Sequence, residues 1–434
     1  MSSIAGIPDN NRKRIVIVGG GFAGLQLAKS LKKCDMQIVL IDRNNYHQFQ
    51  PLFYQVATSG LEPSAISFPL RKIFQNQKHI HVRIASLDRI EAEKKRIVTD
   101  IGTLTYDHLV LAMGADTNYF GNKNIEEHAI PMKSLSEAIY LRNLILTNFE
   151  NALNQTDTSK IESLMNFVIV GGGPTGTELA GAIAEMKNNI LPKDYPELDF
   201  AMMKIHLLEA GDKVLNGYSV ASSNKGKAYL EKLGVHISLS TFVKDYDGKK
   251  VRLADGSVLA TDTLIWAAGV RGNAVYGLKE EATGKGGRLI VDRYNRVSHH
   301  EEIYALGDIA LMRTEAFEHG HPQVAQVAMQ QAKRLAKNFK RYSRGKELKT
   351  FTYNDKGSLA TVGRNLAVAD LPHLSFQGFF AWLLWLFVHL MSIIGAKNRL
   401  FVFINWTWSY FTYDQSLRLL IKPKEQKPPA VADA

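Results

Sequence analysis

Cysteine is almost absent from this sequence, since Cys34 is the single cysteine among 434 residues. One thiol excludes an intramolecular disulfide and a catalytic cysteine pair, and it cannot supply the cysteine ligands of an iron–sulfur cluster. Cys34 lies among helix-forming residues, so we expect it to be a packing residue rather than a reactive thiol. Chemistry based on paired cysteines is therefore excluded.

Acidic residues are also fewer than basic ones. The chain has 53 Lys and Arg against 42 Asp and Glu, which gives a net charge of +11. Such an excess favours an anionic partner, although a solvated basic surface is the simpler alternative. No zinc-finger spacing or other nucleic-acid module is visible, so we expect an anionic membrane surface and no nucleic acid. No apolar run of signal-peptide length precedes the first strand, so no export signal is expected.

Strand-like runs alternate with helical patterns along most of the chain, which predicts an α/β fold with parallel sheets. A strand, a glycine loop and a helix begin near residue 14, and the same signature returns near residue 167. This internal repeat predicts two Rossmann-like dinucleotide-binding domains rather than one.

The first glycine loop has the dinucleotide-binding spacing at Gly19, Gly21 and Gly24. These glycines allow a tight turn, close approach of the backbone to a pyrophosphate, and close packing of helix on strand. The helix N-terminus then presents N–H groups and a positive dipole end to the phosphates. Asp42 ends the next strand, where an acid is expected to bind a ribose hydroxyl. Neighbouring residues expected to contact the same cofactor are Phe22, Ala23 and Arg43.

The second loop repeats this spacing at Gly171, Gly173 and Gly176, and its acid is Glu209. An acid at this place favours NADH, because it would repel the 2′-phosphate of NADPH. Lys213 is close enough in sequence to leave some use of NADPH open. Loop residues expected to contact the nicotinamide dinucleotide also include Pro174 and Thr175.

Two such loops in one chain indicate one flavin dinucleotide and one nicotinamide dinucleotide, and the ribose acid Asp42 favours FAD over FMN. Gly114 is expected to mark the return of the chain past the FAD, or else to be an ordinary turn glycine. We expect an FAD-binding domain at 1–122 and 288–370, an NADH-binding domain at 123–287, membrane-associating helices at 371–421 and a disordered tail at 422–434.

Two further motifs, Leu306-Gly307-Asp308 and Trp266-Ala267-Ala268-Gly269, complete a resemblance to the two-dinucleotide flavoprotein reductases. The resemblance implies that Gly307 and Asp308 hold the ribityl chain of a non-covalently bound FAD. It also implies that Ala268 and Gly269 close the nicotinamide domain. Disulfide reductases and sulfide:quinone reductases of this superfamily need cysteines that this chain lacks, so an external electron acceptor is expected.

Within that superfamily the chain resembles the type II NADH:quinone oxidoreductases, the non-pumping alternative NADH dehydrogenases. The resemblance runs from about residue 13 to residue 421 and rests on the motifs at 46–57, 175–178, 266–270 and 325–330. It implies that Ala325 and Gln326 lie near the flavin, and that Gln326 and Gln330 face the quinone. We also expect Lys397 to lie near the FAD and the quinone. The resemblance further implies that Glu178 lies near the nicotinamide and the flavin, among the NADH-binding residues, and is a candidate for coupling charge or protons to electron transfer.

Simpler interpretations of these residues stay open. Gln326 and Gln330 stand four residues apart, so they share a helix face and could be merely solvent-exposed. Glu178 follows the second glycine loop closely, where an acid could instead stabilise the dipole of the helix.

The C-terminal region 371–413 contains no acid and has four of the five tryptophans. Residues 376–394 carry no formal charge, so on length alone they are a candidate for a membrane span. Polar interruptions at Gln377 and His389, and the basic Lys397 and Arg399 that follow, favour a helix lying in the membrane surface instead. A buried dimer interface is the third interpretation, so a homodimer is also possible on this sequence.

The resemblance therefore implies an enzyme that oxidises NADH through FAD and reduces ubiquinone or menaquinone. We expect it to be peripheral at the cytoplasmic face of the inner or plasma membrane. No string of intramembrane carboxylates is present, so proton pumping is not expected. The runner-up is a soluble NADH-dependent reductase of a protein acceptor, similar to a ferredoxin reductase. A flavin-based NADH sensor is a third function, of a different class.

Overall fold

The structure is a computed structural model, and it describes residues 3–413 and 417–421. The predicted disordered tail at 422–434 lies outside the described residues.

The helices within the described ranges follow one another along the chain as α1 Phe22–Leu31, α2 Phe53–Ala57, α3 Leu70–Ile73, α4 Lys123–His128, α5 Leu135–Leu153, α6 Thr158–Met165, α7 Pro174–Asn189, α8 Leu191–Asp194, α9 Val220–Lys232, α10 Ala325–Tyr342, α11 Phe379–Ser392 and α12 Ala396–Thr412.

The strands are β1 Arg14–Val18, β2 Gln37–Asp42, β3 Tyr46–Gln48, β4 Ser67–Pro69, β5 Ile80–Ile84, β6 Leu87–Glu91, β7 Arg96–Thr99, β8 Gly102–Thr105, β9 His108–Leu111, β10 Ala115–Thr117, β11 Ile130–Pro131, β12 Phe167–Val170, β13 Ile205–Leu208, β14 Val235–Ser238, β15 Val243–Tyr246, β16 Lys250–Leu253, β17 Val258–Ala260, β18 Thr263–Trp266, β19 Val270–Gly272, β20 Leu289–Val291, β21 Ile303–Ala305, β22 Ala310–Met312, β23 Ser358–Gly363, β24 Leu366–Leu371 and β25 Leu374–Gln377.

The chain divides into two compact units. The first contains the residues up to Phe49, together with Ile66–Asn118 and Gly269–Gly357. The second contains Gln50–Ala65, Tyr119–Ala268 and the residues from Ser358 onward. The expected FAD-binding domain includes 50–65, 119–122 and 358–370, which belong to the second compact unit. The expected NADH-binding domain includes 269–287, which belongs to the first. The division by cofactor is a functional statement, and it stays a prediction.

The first unit is built on a parallel sheet with the strand order β21-β9-β1-β2-β5. Every residue of β1 is buried, as expected for a central strand covered on both faces. Val18, the last residue of β1, pairs with Ile41 on one side and with Leu111 on the other. Helix α1 packs against α10. The first half of the predicted repeat is therefore a doubly wound sheet.

The second unit is built on a parallel sheet with the order β11-β18-β12-β13-β14. Its central strand β12 is also completely buried, and its last residue Val170 pairs with Leu208 and with Trp266. The long helix α5 begins with a capping box, in which Ser134 accepts from the backbone of Glu137 and Glu137 accepts from the backbone of Ser134. The predicted α/β architecture with two Rossmann-like halves is confirmed.

The second unit also contains the antiparallel strands β23, β24 and β25, followed by α11 and α12. The apolar run at 376–394 is thus divided between the end of β25 and the 14-residue helix α11. Among the described residues, no helix is both long enough and apolar enough to cross a bilayer.

Candidate active site

Parallel strand pairing gathers the predicted FAD residues of the first unit at one edge of its sheet. Gly19 follows β1, Asp42 ends β2, Gly114 follows β9 and Gly307 follows β21. Because these strands are parallel, their carboxyl ends lie at the same edge. Open α/β sheets bind ligands outside this edge, at the point where the strand order reverses.

Asp42 is held by the glycine loop itself. Its Oδ2 accepts a hydrogen bond from the backbone N–H of Gly20 at 2.6 Å, and its Oδ1 accepts from Asn44 at 2.6 Å. Burial raises the pKa of Asp42, while these two N–H groups act in the opposite direction. Each carboxylate oxygen has more than one acceptor position, so Asp42 keeps capacity for a ribose hydroxyl.

The glycines at this edge of the sheet are of two kinds, those packed against the protein's own backbone and those that face open space. A Cβ on Gly19 would lie 2.3 Å from the carbonyl oxygen of Ala112, and one on Gly24 would lie 1.9 Å from the oxygen of Gly19. Those two positions are closed by the protein's own backbone. A Cβ on Gly21 would meet nothing within 4 Å, and the same holds at Gly114. The arrangement fits a pyrophosphate held beside Gly21.

The second loop repeats this construction within its own unit. A Cβ on Gly171 would lie 2.6 Å from the oxygen of Ala267, and one on Gly176 would lie 1.9 Å from the oxygen of Gly171. A Cβ on Gly173 would meet nothing within 4 Å. Glu209 accepts hydrogen bonds from the backbone N–H groups of Gly172 and Gly211, as Asp42 does from its loop. The residues therefore fit a second dinucleotide.

The turn at Gly307 and Asp308 is fixed by a residue that the sequence analysis missed. Gln331 is buried, and its Oε1 accepts a hydrogen bond from Gly307 N–H at 2.7 Å. Gly307 has a φ of 73°, which favours glycine, and the carbonyl oxygen of Asp308 accepts from the Gln323 side chain at 3.0 Å. Gln331 directly follows Gln330 in the sequence, so the glutamine-rich run was the available signal.

Gln326 and Gln330 are not merely solvent-exposed. Gln326 Nε2 donates to the carbonyl oxygen of Gly357 at 3.0 Å, and its Oε1 is buried without a hydrogen-bond partner. Gln330 donates to the carbonyl oxygen of Asn354 at 2.8 Å and accepts from its N–H at 3.1 Å. The unused acceptor on Gln326 is a buried polar atom that a ligand could satisfy.

Glu178 is 8% exposed, and the structure excludes the helix-dipole explanation, because the first turn of α7 contains no acid. Burial raises the pKa of Glu178 to about 8, which the backbone N–H of Thr361 and the indole of Trp385 partly oppose. The Thr361 hydrogen bond is long, at 3.4 Å. Glu178 therefore holds a proton near neutral pH.

An aromatic and polar cluster of the second unit stands around Trp385. The rings of Trp385 and Tyr54 have centroids 6.4 Å apart, and His389 stacks on Trp385 at 4.0 Å. Gln55 joins α2 to α12 by accepting from Trp406 Nε1 at 2.8 Å and donating to Tyr54 at 2.8 Å. The motif at 46–57 pointed to Tyr54 and Gln55, but no sequence rule connects them with tryptophans more than 300 positions later.

The other predicted contacts are placed as follows. Pro174 and Thr175 are exposed at the start of α7, and Ala268 follows β18. Gly269 begins the last segment of the first unit, with a φ of 140°. Lys397 is exposed in the first turn of α12, with its Nζ 5.3 Å from the ring centroid of Phe401.

Lys397 belongs to the second unit, whereas the other predicted FAD residues belong to the first. Among the neighbouring loop residues, Phe22 lies with its ring centroid 5.3 Å from the ring of His47, Ala23 is buried and Arg43 is exposed. The ligand roles of all these residues stay predictions.

Comparison with known proteins identifies the family of the chain. Residues 13–332 match the model of the pyridine nucleotide-disulphide oxidoreductase family, and residues 356–412 match the NDH2 C-terminal domain. The chain is 36% identical over 421 residues to the type II NADH:quinone oxidoreductase Ndh of Mycobacterium tuberculosis, covering 92% of this chain and 89% of that protein.

Two further matches agree in family and in fold. A type II NADH:quinone oxidoreductase of Staphylococcus aureus is 28% identical over 367 residues, covering 81% of this chain and 88% of that protein. The structure of NDH2 from Plasmodium falciparum in complex with NADH has a TM-score of 0.86 at 21% identity, covering 95% of this chain and 100% of that one. The match over 92% of the chain at 36% identity, together with the two family models, shows that the chain belongs to the type II NADH:quinone oxidoreductase family.

Proposed function

We propose that this protein is a flavoenzyme that oxidises NADH and reduces a quinone to quinol without pumping protons. One observation carries the proposal. This chain has two glycine loops, and in each loop a backbone N–H donates to the carboxylate that is expected to bind a ribose, Asp42 in the first and Glu209 in the second. When bound, FAD accepts reducing equivalents from NADH and passes two electrons to the quinone. The remaining steps are the work of the protein's own residues.

The loop residues of the two units would hold the two dinucleotides. Asp42 and the open space beside Gly21 suit the FAD, with Asp308 on the ribityl chain. Glu209 and the open space beside Gly173 suit NADH. The carboxylate of Glu209 would repel a 2′-phosphate, so it sets the preference for NADH over NADPH.

Quinone reduction to quinol consumes protons as well as electrons, and Glu178 is suited to hold one. Its pKa of about 8 keeps the buried carboxyl protonated near neutral pH. On the quinone side, the buried Oε1 of Gln326 is an acceptor without a partner, and it suits a hydroxyl group of the quinol product, because the quinone itself has only acceptor oxygens. We assign Glu178 to proton supply and Gln326 and Gln330 to the quinone.

We also propose that α11 and α12 attach the protein to a membrane surface. These two helices expose many large apolar side chains close together in the sequence, including Phe380 at 73% and Phe411 at 75%, and concentrated apolar exposure of this kind marks a binding surface. Aromatic residues settle at the interface between lipid tails and headgroups, and the exposed Lys397 suits anionic phosphates. We further propose that the binding is peripheral and at the cytoplasmic face of the membrane, and a homodimer through the same two helices is the alternative.

The first experiment measures NADH oxidation by absorbance, with purified protein in mild detergent and a soluble ubiquinone or menaquinone analogue. We expect fast turnover, and a flavin spectrum that bleaches with NADH and recovers with quinone. Bleaching without recovery would retain the flavin and NADH assignments and move the acceptor to a protein such as a ferredoxin. Absence of turnover with every acceptor would favour an NADH sensor.

Membrane attachment is tested by vesicle flotation. Phe380→Ser and Phe411→Ser should each reduce binding to vesicles that contain phosphatidylglycerol, and the double variant should abolish it. Phe242→Ser is the matched control, because Phe242 is 60% exposed in the same unit but lies outside the two helices. Unchanged flotation together with loss of a dimer on sedimentation would replace the membrane by a second copy of the chain.

A further inference from the structure

The C-terminal end of helix α12 has no basic side chain from the helix itself to balance its partial negative charge. Its last turn contains no basic residue, although the final carbonyl groups of any helix lack partners and carry partial negative charge. Arg364, in the turn between β23 and β24, supplies what is missing. Its guanidinium donates to the carbonyl oxygens of Tyr410 at 2.9 Å and Ser409 at 2.8 Å.

The same guanidinium also covers the residue at which the helix stops. It lies 3.5 Å from the ring centroid of Tyr413, which takes the left-handed conformation with a φ of 56°. It lies 5.2 Å from the ring of Tyr410. A planar cation can make two hydrogen bonds and stack on a ring at once, which lysine cannot do. Arg364 therefore fixes both the end and the direction of α12.

The backbone of Arg364 is held from the other side by α7. Arg364 N–H donates to Glu185 Oε1 at 2.5 Å. A Cβ on the preceding Gly363 would lie 2.9 Å from that same oxygen, so a side chain there would displace the carboxylate. Burial raises the pKa of Glu185, and the N–H and guanidinium of Arg364 oppose the rise.

Helix α7 reaches this turn because one of its residues has no side chain. A Cβ on Gly181 would lie 1.7 Å from the carbonyl oxygen of Val362, so α7 and β23 touch backbone to backbone. Glu178, Gly181 and Glu185 are spaced at three and four residues, which places them on one face of α7. That face therefore holds β23 and its turn along two helical turns.

We propose that Arg364 and Glu185 are positioning residues that fasten the end of α12 to α7, the helix that carries Glu178. The proposal rests on the proposed function in one respect, namely that Glu178 of α7 supplies a proton for quinone reduction and that α12 attaches the protein to the membrane that holds the quinone. Reduction of ferricyanide consumes no proton and needs no membrane. Arg364 acts through the helix end that it caps. Its loss should therefore affect the quinone reaction and leave NADH-dependent reduction of ferricyanide unchanged.

The test uses the full-length, FAD-loaded protein in detergent, with the variants Arg364→Ala, Arg364→Lys and Glu185→Gln. Hydrogen exchange of the backbone amides at 409–412 measures how firmly the helix end is held. We expect about tenfold faster exchange in Arg364→Ala, because two charge-assisted hydrogen bonds are lost. Arg364→Lys should be intermediate, since lysine restores the charge but not the fork. Glu185→Gln keeps the acceptor and should show the smallest increase.

The kinetic measurement accompanies the exchange measurement. We expect the KM for the quinone to rise roughly threefold or more in Arg364→Ala, with partial rescue in Arg364→Lys and ferricyanide reduction unchanged. Arg252→Ala is the matched control, because Arg252 is an exposed arginine of the same unit. FAD content verifies folding, and if Arg364→Ala does not fold, Arg364→Lys gives both measurements.

Two results would overturn the proposal. Exchange at 409–412 that is unchanged in Arg364→Ala would show that the guanidinium does not hold the helix end. Equal losses with quinone and with ferricyanide would show general damage rather than positioning. Absence of quinone turnover in the unsubstituted protein would count against the proposed function alone, because the exchange measurement still decides whether the helix end is fastened.

Discussion

The two glycine-loop helices begin alike and continue differently. In both loops the first glycine lies against the backbone of a neighbouring strand end and the middle glycine faces open space. Further along, Gln26 of α1 corresponds to Glu178 of α7, and Lys29 corresponds to Gly181, at equal distances from the first glycine. Binding a pyrophosphate constrains only the turn and the first residues of the helix. The later residues of each helix can therefore differ according to what the helix packs against.

The surroundings explain the difference. Helix α1 packs on another helix, α10. Helix α7 packs directly on strand β23, where Gly181 permits backbone contact and Glu178 is enclosed. The repeat thus supplies two similar binding turns, and one helix was adapted to keep a buried acid next to the C-terminal strands.

The largest expected effect comes from closing one loop at a time. Gly24→Ala should prevent FAD binding, since its Cβ would lie 1.9 Å from the Gly19 oxygen. Gly176→Ala is the same change in the other loop, and it should leave the flavin bound while raising the KM for NADH more than about tenfold. Flavin absorbance and NADH titration separate the two. Loss of flavin in both variants would contradict separate sites.

The next effect concerns the buried acid that only α7 carries. The pKa of Glu178 is raised from 4.5 to about 8, so the folded state favours the protonated form. As pH rises from about 4.5 towards 8, the unfolded state loses this proton first and the free energy of unfolding falls. Glu178→Gln should remove roughly 3–5 kcal/mol of that fall.

Denaturant unfolding at pH 5 and pH 8 measures this change, and Gln26→Ala at the corresponding place in α1 is the control. Quinone reduction should decline above about pH 8 in the unsubstituted protein, as Glu178 loses its proton. If the free energy of unfolding depends on pH in the same way in Glu178→Gln and in the unsubstituted protein, the raised pKa of Glu178 is refuted.

A smaller effect distinguishes the two ribose acids. In the unsubstituted protein we expect kcat/KM to be at least about tenfold higher with NADH than with NADPH. Glu209→Ala should weaken NADH binding and reduce this ratio. Asp42→Ala should instead lower FAD affinity and leave the nucleotide preference unchanged. Comparable turnover of the unsubstituted protein with NADPH would disprove the role of Glu209.

The smallest effect is expected on α10, the partner of α1. Gln330→Leu removes both hydrogen bonds to Asn354 and should raise the quinone KM roughly threefold to tenfold, while sparing ferricyanide reduction. Lys333→Leu, at an exposed position of the same helix, is the control. If neither activity changes in Gln330→Leu, the quinone role of this residue fails.

Short-range patterns sufficed to determine the two binding turns. Glycine spacing, a preceding buried strand and an acid after the next strand act over a few dozen residues, because a turn and a helix N-terminus are local structures. The α/β class, the two Rossmann-like halves and the absence of disulfide chemistry follow from such patterns and from a single cysteine. The same reasoning placed Asp42 and Glu209 beside their loops, as the structure has them.

Only the tertiary structure decided which side chains surround Glu178 and which side chains hold the Gly307 turn, Trp406 and the end of α12. Gln331 on the Gly307 turn, Gln55 on Trp406 and Arg364 on the end of α12 are contacts between distant segments. A pKa of about 8 for Glu178 likewise depends on which side chains exclude water. No local pattern encodes these features, because burial and long-range hydrogen bonds exist only once the chain has folded.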